Sequence, residues 1–434
     1  MKSPVHPAVV MTLFWCFILC IYFVGPVSLT PEISLQGSVF LFAHISLFIA
    51  GSGLAFILFN KRQHTPQTAS DDALFTPLLL LMGVTGGLVS IYNNFIAIQD
   101  INLASIATLR AIKAQNLLHG GQSHGGLLSA LAYVTYPAGF VGLVAGVIEY
   151  ERLSRFARLS LYVFVGIIFC VAILAGGRSP ILLLLLFIGI SCYTRTRLGK
   201  SWMPNSRTLK MGAALLLLIF MVYSSIMWSV RAAESSRTAE QALQYAGDVG
   251  GAKPKPYLLR LNNPGFELSA LNTVFYLTQS LQVTEKILAA REDIPALYGS
   301  YHIDMVAAAL RLFPQGSAFL KEHYTVLMKA KIYGYFTGAW GGLFIDYGYF
   351  SLLGAMIWGF LAGMAWVNFK HNPGVLTGLF YVFWNYSILI SFATPPFGFS
   401  NSLVVFGWFL VFDLGSRWLD KKGRAPRAPT LDAC

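Results

Sequence analysis

The chain has 434 residues, of which 56% are hydrophobic and 12% are charged. A soluble domain carries about 25% charged residues, so this composition excludes a soluble multidomain enzyme, a disordered chain and a disulfide-rich secreted scaffold. It predicts an all-α, polytopic integral membrane protein. The net charge of +12 then has to be located along the chain, because loop charges set the topology of such proteins.

Ten apolar runs are long enough, or nearly long enough, to cross a hydrocarbon core, which takes about 20 helical residues. In chain order they are 8–25, 37–59, 74–98, 127–149, 159–176, 180–194, 211–229, 345–367, 375–393 and 401–416. The first run has two interpretations, a signal peptide or a span. The nine runs that follow and the lack of a clear cleavage site favour a span. The short run 180–194 is either a span or half of a re-entrant hairpin with 159–176.

These runs divide the chain into four parts. They are an N-terminal membrane domain (1–229), a long loop (230–333), a C-terminal membrane domain (334–416) and a basic tail (417–434). In the long loop, helical spacing of apolar residues predicts helices over 268–290 and 302–312, bracketed by turns at 262–265 and 314–316. We expect this loop to form a helical cap on the outer face of the membrane, with interfacial amphipathic helices.

The basic residues fall into two groups. If the N-terminus is cytoplasmic and the spans alternate, 17 of the 31 Lys and Arg residues lie in short inner segments, and none lies in the short outer loops 26–36 and 394–400. This distribution predicts that both termini are cytoplasmic. The other 14 lie outside, and 11 of them are in the long loop, which the orientation rule does not cover.

The most distinctive local feature is the segment 175-AGGRSP-180, which places Arg178 between two apolar runs. Such an arginine either snorkels to lipid headgroups or binds an anion in a cavity. Four further arginines are expected at comparable depth: Arg110, Arg231, Arg260 and Arg311. Because guanidinium groups pair well with phosphate oxygens, the set predicts a surface for a phosphorylated lipid headgroup. No nucleic acid partner is expected, because these charges lie outside the cell membrane.

A second dense region, 333-YGYFTGAWGGLFIDYGYFSLLG-354, is rich in glycine and aromatic residues. With the preceding Lys331, its Tyr333, Thr337 and Asp346 are candidate substrate contacts, because aromatic faces with polar handles suit sugar rings. An interfacial aromatic belt and close helix packing explain the same pattern. The sequence has neither a metal-ligand spacing nor a P-loop, so no cofactor is expected.

Four segments carry a resemblance to a known family. They are 176-GGRSP-180 with the Leu-rich run after it, 227-MWSVRAAES-235, 295-PALYGSYHIDMVAAALRLFPQG-316 and 337-TGAWGGLFIDYGYFSLLG-354. Together they resemble the Wzy-type O-antigen and oligosaccharide repeat-unit polymerases. The likeness runs from about residue 90 to residue 365, through short and degenerate motifs.

The resemblance implies a GT-C-like glycosyltransferase of the bacterial inner membrane with its active site on the periplasmic face. Such an enzyme transfers the growing glycan from undecaprenyl pyrophosphate to a new undecaprenyl-pyrophosphate-linked repeat unit. Arg178 and Arg231 match basic positions of the family motifs, and Arg311 falls in the matched loop segment. Membrane lipids, a Wzz-type chain-length co-polymerase and a flippase are the implied partners.

This chemistry needs two kinds of group. Arginines can stabilise the pyrophosphate leaving group without a metal, and a carboxylate or imidazole can take the proton of the acceptor hydroxyl. The candidate bases on the outer side are Glu267, His302, Asp304, His323 and Asp346.

Three other functions are open. The spacing of His323 and Gly334 is similar to a His–Gly pattern in the outer loop of O-antigen ligases, which transfer glycan to the lipid A core. A flippase or transporter for lipid-linked glycans would also need a basic cavity, but inverted repeats and paired broken helices are then expected, and the sequence reveals neither. The third is a membrane scaffold.

Overall fold

The computed structural model describes residues 3–61, 75–96, 127–174, 179–203, 239–248, 251–260, 263–332, 336–398 and 401–423, with isolated positions between 207 and 218. Within these ranges the chain is helical apart from one two-stranded sheet. Seven helical segments are long and apolar enough to span a membrane, if helices that follow one another directly are counted together. The fold is therefore all-α and typical of a membrane protein, as predicted.

The described ranges up to residue 203 contain seven α-helices. They are α1 (Pro7–Val24), α2 (Leu35–Phe59), α3 (Phe75–Ile96), α4 (Leu127–Thr135), α5 (Ala138–Ile148), α6 (Arg155–Leu174) and α7 (Ser179–Arg197). They match the first six predicted runs, except that the fourth is broken at Pro137, which lacks a backbone N–H. Helix α7 has 19 residues, so the run 180–194 is long enough for a full span. The predicted run 211–229 lies outside the described residues, apart from isolated positions.

The C-terminal part contains α13 (Gly338–Tyr347), α14 (Ser351–His371), α15 (Val375–Leu389) and α16 (Ser402–Gly423). The predicted boundaries of the run 345–367 were wrong, because a tight turn at 348–350 divides this region into α13 and α14. Helix α15 has 15 residues, fewer than a full span needs. Its end meets the start of α13, where the Ala339 N–H donates to the Ser391 carbonyl at 2.7 Å.

Helices α2 and α14 pack without intervening side chains because glycines line their contact. A Cβ added at Gly51 would lie 2.0 Å from the Met356 carbonyl oxygen, and one added at Gly359 would lie 1.9 Å from that of Phe48. Gly363 follows four residues after Gly359 and faces the same helix. This small-xxx-small spacing is the usual way in which membrane helices bring their backbones together.

The long loop forms a cap of five helices in its described parts. They are α8 (Ala239–Asp248), α9 (Pro256–Leu259), α10 (Pro264–Ala289), α11 (Asp304–Arg311) and α12 (Pro314–Lys329). The predicted helices over 268–290 and 302–312 are confirmed as α10 and α11. The predicted turn at 314–316 was wrong, because Pro314 opens α12, a position that suits proline.

The cap is joined to the membrane helices rather than resting on them. Strand β1 (Val27–Leu29), between α1 and α2, pairs antiparallel with β2 (Ala252–Pro254) of the cap. The middle of α10, residues 278–284, is buried on all sides, and Leu281 belongs to the main hydrophobic core. The expectation of a cap that only lies on the membrane face was therefore wrong for the middle of α10.

Contacts between helix ends define two ends of the bundle. At what we call the basic end, the Trp366 indole N–H donates to the Pro4 carbonyl and Lys370 Nζ donates to Asn60 Oδ1, both at 3.0 Å. The Val5 N–H donates to the Tyr193 hydroxyl at the same end, next to Arg195. At the opposite end, which we call the cap end because the cap lies there, Lys255 Nζ donates to the Phe23 carbonyl at the end of α1, at 2.8 Å.

Candidate active site

The cap end contains a buried pair of ionisable side chains, His302 and Asp346. His302 precedes α11 in the cap, and Asp346 lies in the last turn of α13. The two residues are 7% and 0% exposed. The imidazole Nδ1 contacts Asp346 Oδ2, and because a carboxylate can only accept, Nδ1 donates. The other ring nitrogen, Nε2, then has a free lone pair, and no described residue is hydrogen-bonded to it.

Backbone hydrogen bonds hold the two segments together. The Leu297 N–H donates to the Ile345 carbonyl at 3.2 Å, and the Tyr298 N–H donates to the Asp346 carbonyl at 2.9 Å. The Asp346 carboxylate in turn accepts the backbone N–H groups of Tyr301 at 2.9 Å and His302 at 3.2 Å. The carboxylate thus has three N–H donors around it, which is how a buried charge is made tolerable.

The turn that presents His302 requires unusual backbone angles. Tyr298 and Gly299 have φ angles of 51° and 88°, in the region that side chains rarely adopt. At Gly299 an added Cβ would also lie 2.9 Å from the Tyr347 hydroxyl, so the Tyr347 side chain would have to shift to accept it. Positive φ at a residue other than glycine is stored strain that surrounding contacts must support.

Two further charged residues, Asp304 and Arg311, lie on the helix that begins next to His302. Asp304 is exposed as a residue, but the protein around its carboxyl disfavours the charged form and raises its pKa, and Arg311 and His302 partly offset this shift. They occupy the first and last turns of α11, where an acid and a base also complement the helix dipole. The structure therefore pairs His302 with Asp346 and places Asp304 within electrostatic reach of both His302 and Arg311.

This arrangement can act as a general base. A carboxylate on Nδ1 fixes the tautomer and orientation of the ring, and it stabilises the imidazolium that forms when Nε2 takes a proton. The ring of Tyr347 lies edge-on to the imidazole, with centroids 6.1 Å apart. Because His302 is 7% exposed, a hydroxyl that reaches Nε2 would lose its proton in a site largely screened from water.

Glu267 and Thr337 lie elsewhere. Glu267 is in the first turn of α10, where its carboxylate accepts the Asn263 N–H at 3.3 Å while the Asn263 side chain accepts the Phe266 N–H at 3.1 Å. This reciprocal capping gives Glu267 a structural role. Thr337 is buried just before α13, nine residues from Asp346 and so about 13 Å away along the helix.

His323 and Lys331 are also outside the His302–Asp346 pair. His323 is buried on α12 against the Phe319 ring, with centroids 3.9 Å apart, and its Nδ1 has no hydrogen-bond partner among the described residues. Lys331 follows α12 and lies near Lys286, at the end of α10. Burial lowers the pKa of the Lys286 ammonium group, and the charge of Lys331 lowers it further.

Arg260 is exposed at the end of α9. The 26-residue helix α10 separates it from the segment that carries His302, a length of about 38 Å. Four other predicted residues lie outside the described ranges: Arg110, Arg178, Arg231 and Tyr333. Their contribution to the site remains a prediction.

The basic end contains a buried arginine whose role the sequence did not reveal. Arg195 was counted among the inner loop charges, yet it is 0% exposed. Its guanidinium donates to the Val147 carbonyl at 2.7 Å and the Ile148 carbonyl at 3.1 Å, and it pairs with Glu151 at 2.5 Å. This hydrogen bond from Arg195 lowers the pKa of Glu151. Arg195 therefore caps the C-terminus of α5.

The part of the chain that the structure describes contains no group of three or more His, Cys, Asp or Glu side chains placed to hold a metal ion. Comparison with known proteins gives no family: no family model, no curated protein and no solved structure matches the chain.

Proposed function

We propose that the protein is a membrane-embedded glycosyltransferase that polymerises lipid-linked oligosaccharide repeat units. The observation that carries the proposal is the buried His302–Asp346 pair at the cap end of a bundle of membrane helices, with Nε2 of the imidazole left without a partner among the described residues. The resemblance of four segments to the Wzy-type polymerases supplies the reaction class. Membrane-spanning helices around the site suit a lipid-linked substrate, whereas a water-soluble substrate would not require them.

In the proposed reaction, the acceptor is a sugar hydroxyl of a repeat unit linked to undecaprenyl pyrophosphate. His302 Nε2 takes the hydroxyl proton as the oxygen forms a bond to the anomeric carbon of the growing glycan. The bond between that carbon and the donor pyrophosphate breaks, and the lipid pyrophosphate leaves with the electron pair. Asp346 stays ionised and stabilises the imidazolium until the proton passes to solvent.

The leaving group gains negative charge, so the proposal requires cations near the anomeric carbon. Arg311, at the end of α11, is the described residue that can serve. Arg178, Arg231 and Arg110 are proposed for the same role, because the resemblance or the charge pattern selects them. Arg260 is assigned to the cap surface instead.

We propose that the cap end faces the periplasm and the basic end faces the cytoplasm, as the positive-inside rule favours. Cysteine accessibility tests this. Lys321→Cys, exposed on α12, should react with a membrane-impermeant maleimide in cells with a permeabilised outer membrane, whereas Arg152→Cys should react only after lysis. The reverse pattern would invert the topology and contradict the proposal.

The decisive experiment is deletion of the gene followed by complementation, read as surface glycan on a gel. Loss of a polymerase leaves lipid A core with a single repeat unit, whereas loss of a ligase or a flippase removes all repeat units. In complementation, His302→Asn should fail, because its amide can still donate to Asp346 but provides no Nε2 base. His323→Asn is the matched control, and failure of that variant alone would favour a ligase instead.

A further inference from the structure

A cavity of about 410 Å³ lies between the segment that follows α10 and the junction of α13 with α14. Its lining residues are Arg291, Glu292, Ile294, Ala296, Phe344, Gly348 and Tyr349. Phe344 and Asp346 are two positions apart on α13, about 200° around the helix, so the cavity lies on the other side of this helix from the His302–Asp346 pair. Its volume is within the range of about 300–1,000 Å³ typical of small-molecule sites.

The rim of the cavity presents two opposite charges next to each other. The Arg291 guanidinium and the Glu292 carboxylate are 4.0 Å apart, and their side chains are 37% and 89% exposed. At this distance and exposure the two groups do not form a tight pair with each other. A simple anion would be repelled by Glu292 and a simple cation by Arg291, whereas a zwitterion matches both.

The opposite side of the cavity is apolar and continues onto the outside of the helix bundle. Tyr349 and Phe350 are exposed at the top of α14, and Leu353 and Ile357 are exposed below them, one turn apart. Exposed apolar residues on a helix of span length face lipid chains, and the aromatic residues above them mark the level of the headgroups. A ligand that fills the cavity and follows this surface must be amphipathic.

The ring of Tyr349 adds a third recognition element. It stands edge-to-face against Phe344, with centroids 5.4 Å apart and planes at 90°, so its orientation is held by packing. An aromatic ring that lines a cavity next to a carboxylate is a suitable contact for an ammonium group.

We infer that this cavity binds the headgroup of a zwitterionic phospholipid with a primary ammonium group, since a quaternary ammonium has no N–H to donate to the Glu292 carboxylate. Its phosphate contacts Arg291, its ammonium lies between Glu292 and the Tyr349 ring, and its acyl chains lie along Leu353 and Ile357. The inference does not depend on the proposed glycosyltransferase activity, because it concerns a different side of α13.

The test measures lipid binding to the full-length purified protein. The protein is equilibrated in detergent micelles with equal amounts of dioleoyl phosphatidylethanolamine, phosphatidylcholine and phosphatidylglycerol, and the retained lipids are counted by native mass spectrometry. Phosphatidylethanolamine should be retained preferentially. Arg291→Gln and Glu292→Gln should each weaken its binding by roughly tenfold or more, since each removes one hydrogen bond to a charged group.

The matched controls are Lys321→Gln and Glu322→Gln, an adjacent basic–acidic pair on the exposed surface of α12, and neither should change lipid retention. Unchanged melting temperatures of all four variants would show that the fold is intact. Preference for phosphatidylglycerol, loss of binding only in Arg291→Gln, or equal retention of phosphatidylcholine would overturn the inference, because each removes the need for a primary ammonium at Glu292.

Discussion

Replacement of Asp346 by Asn is the sharpest perturbation of the candidate active site, because it changes the charge and hydrogen bonding of one buried group and almost nothing of its size. The carboxylate accepts the Tyr301 N–H through Oδ1, and it accepts both the backbone N–H and Nδ1 of His302 through Oδ2. An amide has only one oxygen. Whichever way the side chain turns, its NH₂ group faces a buried backbone N–H that then has no acceptor.

The expected loss of stability follows from the loss of this one acceptor. One unsatisfied buried donor costs about 1–3 kcal/mol, so the melting temperature should fall while the protein still folds. If the amide NH₂ faces His302, it donates to Nδ1 and shifts the ring proton to Nε2, which abolishes the base. If it faces Tyr301, the tautomer is kept but the charge that stabilises the imidazolium is lost. Either outcome should lower the polymerisation rate by about 10²–10⁴-fold, the usual contribution of general acid–base catalysis.

The assay is the initial rate of ladder formation by purified protein in lipid nanodiscs supplied with lipid-linked repeat units, normalised to folded protein. Asp293→Asn, at an exposed site of the same cap, is the control and should retain the wild-type rate. An Asp346→Asn protein with a lowered melting temperature but an unchanged rate would refute the reasoning, because the pair would then be structural only.

Three further predictions concern stability, measured as melting temperature in detergent. Arg195→Met should cost about 1–3 kcal/mol, because it leaves the Val147 carbonyl without this donor, whereas Arg152→Gln, at a side chain that is 62% exposed, should cost under about 1 kcal/mol; equal effects would contradict the capping role. Gly51→Ala should destabilise strongly because its Cβ would meet the α14 backbone, whereas Gly53→Ala, with nothing within 4 Å, should be neutral or slightly stabilising, and a neutral Gly51→Ala would disprove the close packing. Desolvation by the surrounding protein raises the pKa of Asp304, so its charged form is disfavoured in the folded state and its contribution to stability declines as pH rises above about 3.8. The melting temperature of Asp304→Asn relative to wild type should therefore rise between pH 4 and pH 7, and a difference independent of pH would contradict the raised pKa of this carboxyl.

The sequence predicted membrane helices well where the helices face lipid. Helices α1, α2, α3 and α6 begin and end within four residues of the predicted runs, because a run of about 20 apolar residues has few other stable arrangements. The boundaries were wrong around α13, where nearly every residue is buried in protein. Hydropathy cannot distinguish a residue buried against protein from one that faces lipid.

The helical cap was predicted only in part for a related reason. The apolar spacing located α10 and α11, but residues 278-TQSLQVT-284 are polar enough to suggest a surface helix. Burial of this segment depends on partners distant in sequence, such as the Thr30 carbonyl, which accepts a hydrogen bond from Gln282, and the start of α13. A prediction from local periodicity does not include those partners.

Contacts between residues distant in sequence also decide the candidate active site. His302 and Asp346 were each among the candidate bases, but 44 residues separate them, and their pairing depends on the backbone hydrogen bonds between residues 297–298 and 345–346. No motif encodes that register. The unusual φ angles at Tyr298 and Gly299 are the local trace of it, within the segment 295–316 that carries part of the family resemblance.

Two contacts among the described residues, Arg195–Glu151 and His302–Asp346, show how such a pair can be judged for function. At the basic end, the guanidinium nitrogens of Arg195 all donate, to Glu151 and to the carbonyl groups of Val147, Ile148 and Ser201. A ligand of this guanidinium would compete with contacts that hold α5 in place. At the cap end, His302 donates through Nδ1 but has no described partner at Nε2, so a substrate can bind there without loss of a structural hydrogen bond. Each pair contains a buried ionisable side chain, Arg195 in the first and His302 in the second, and the unused nitrogen of His302 makes the second pair the better candidate for chemistry.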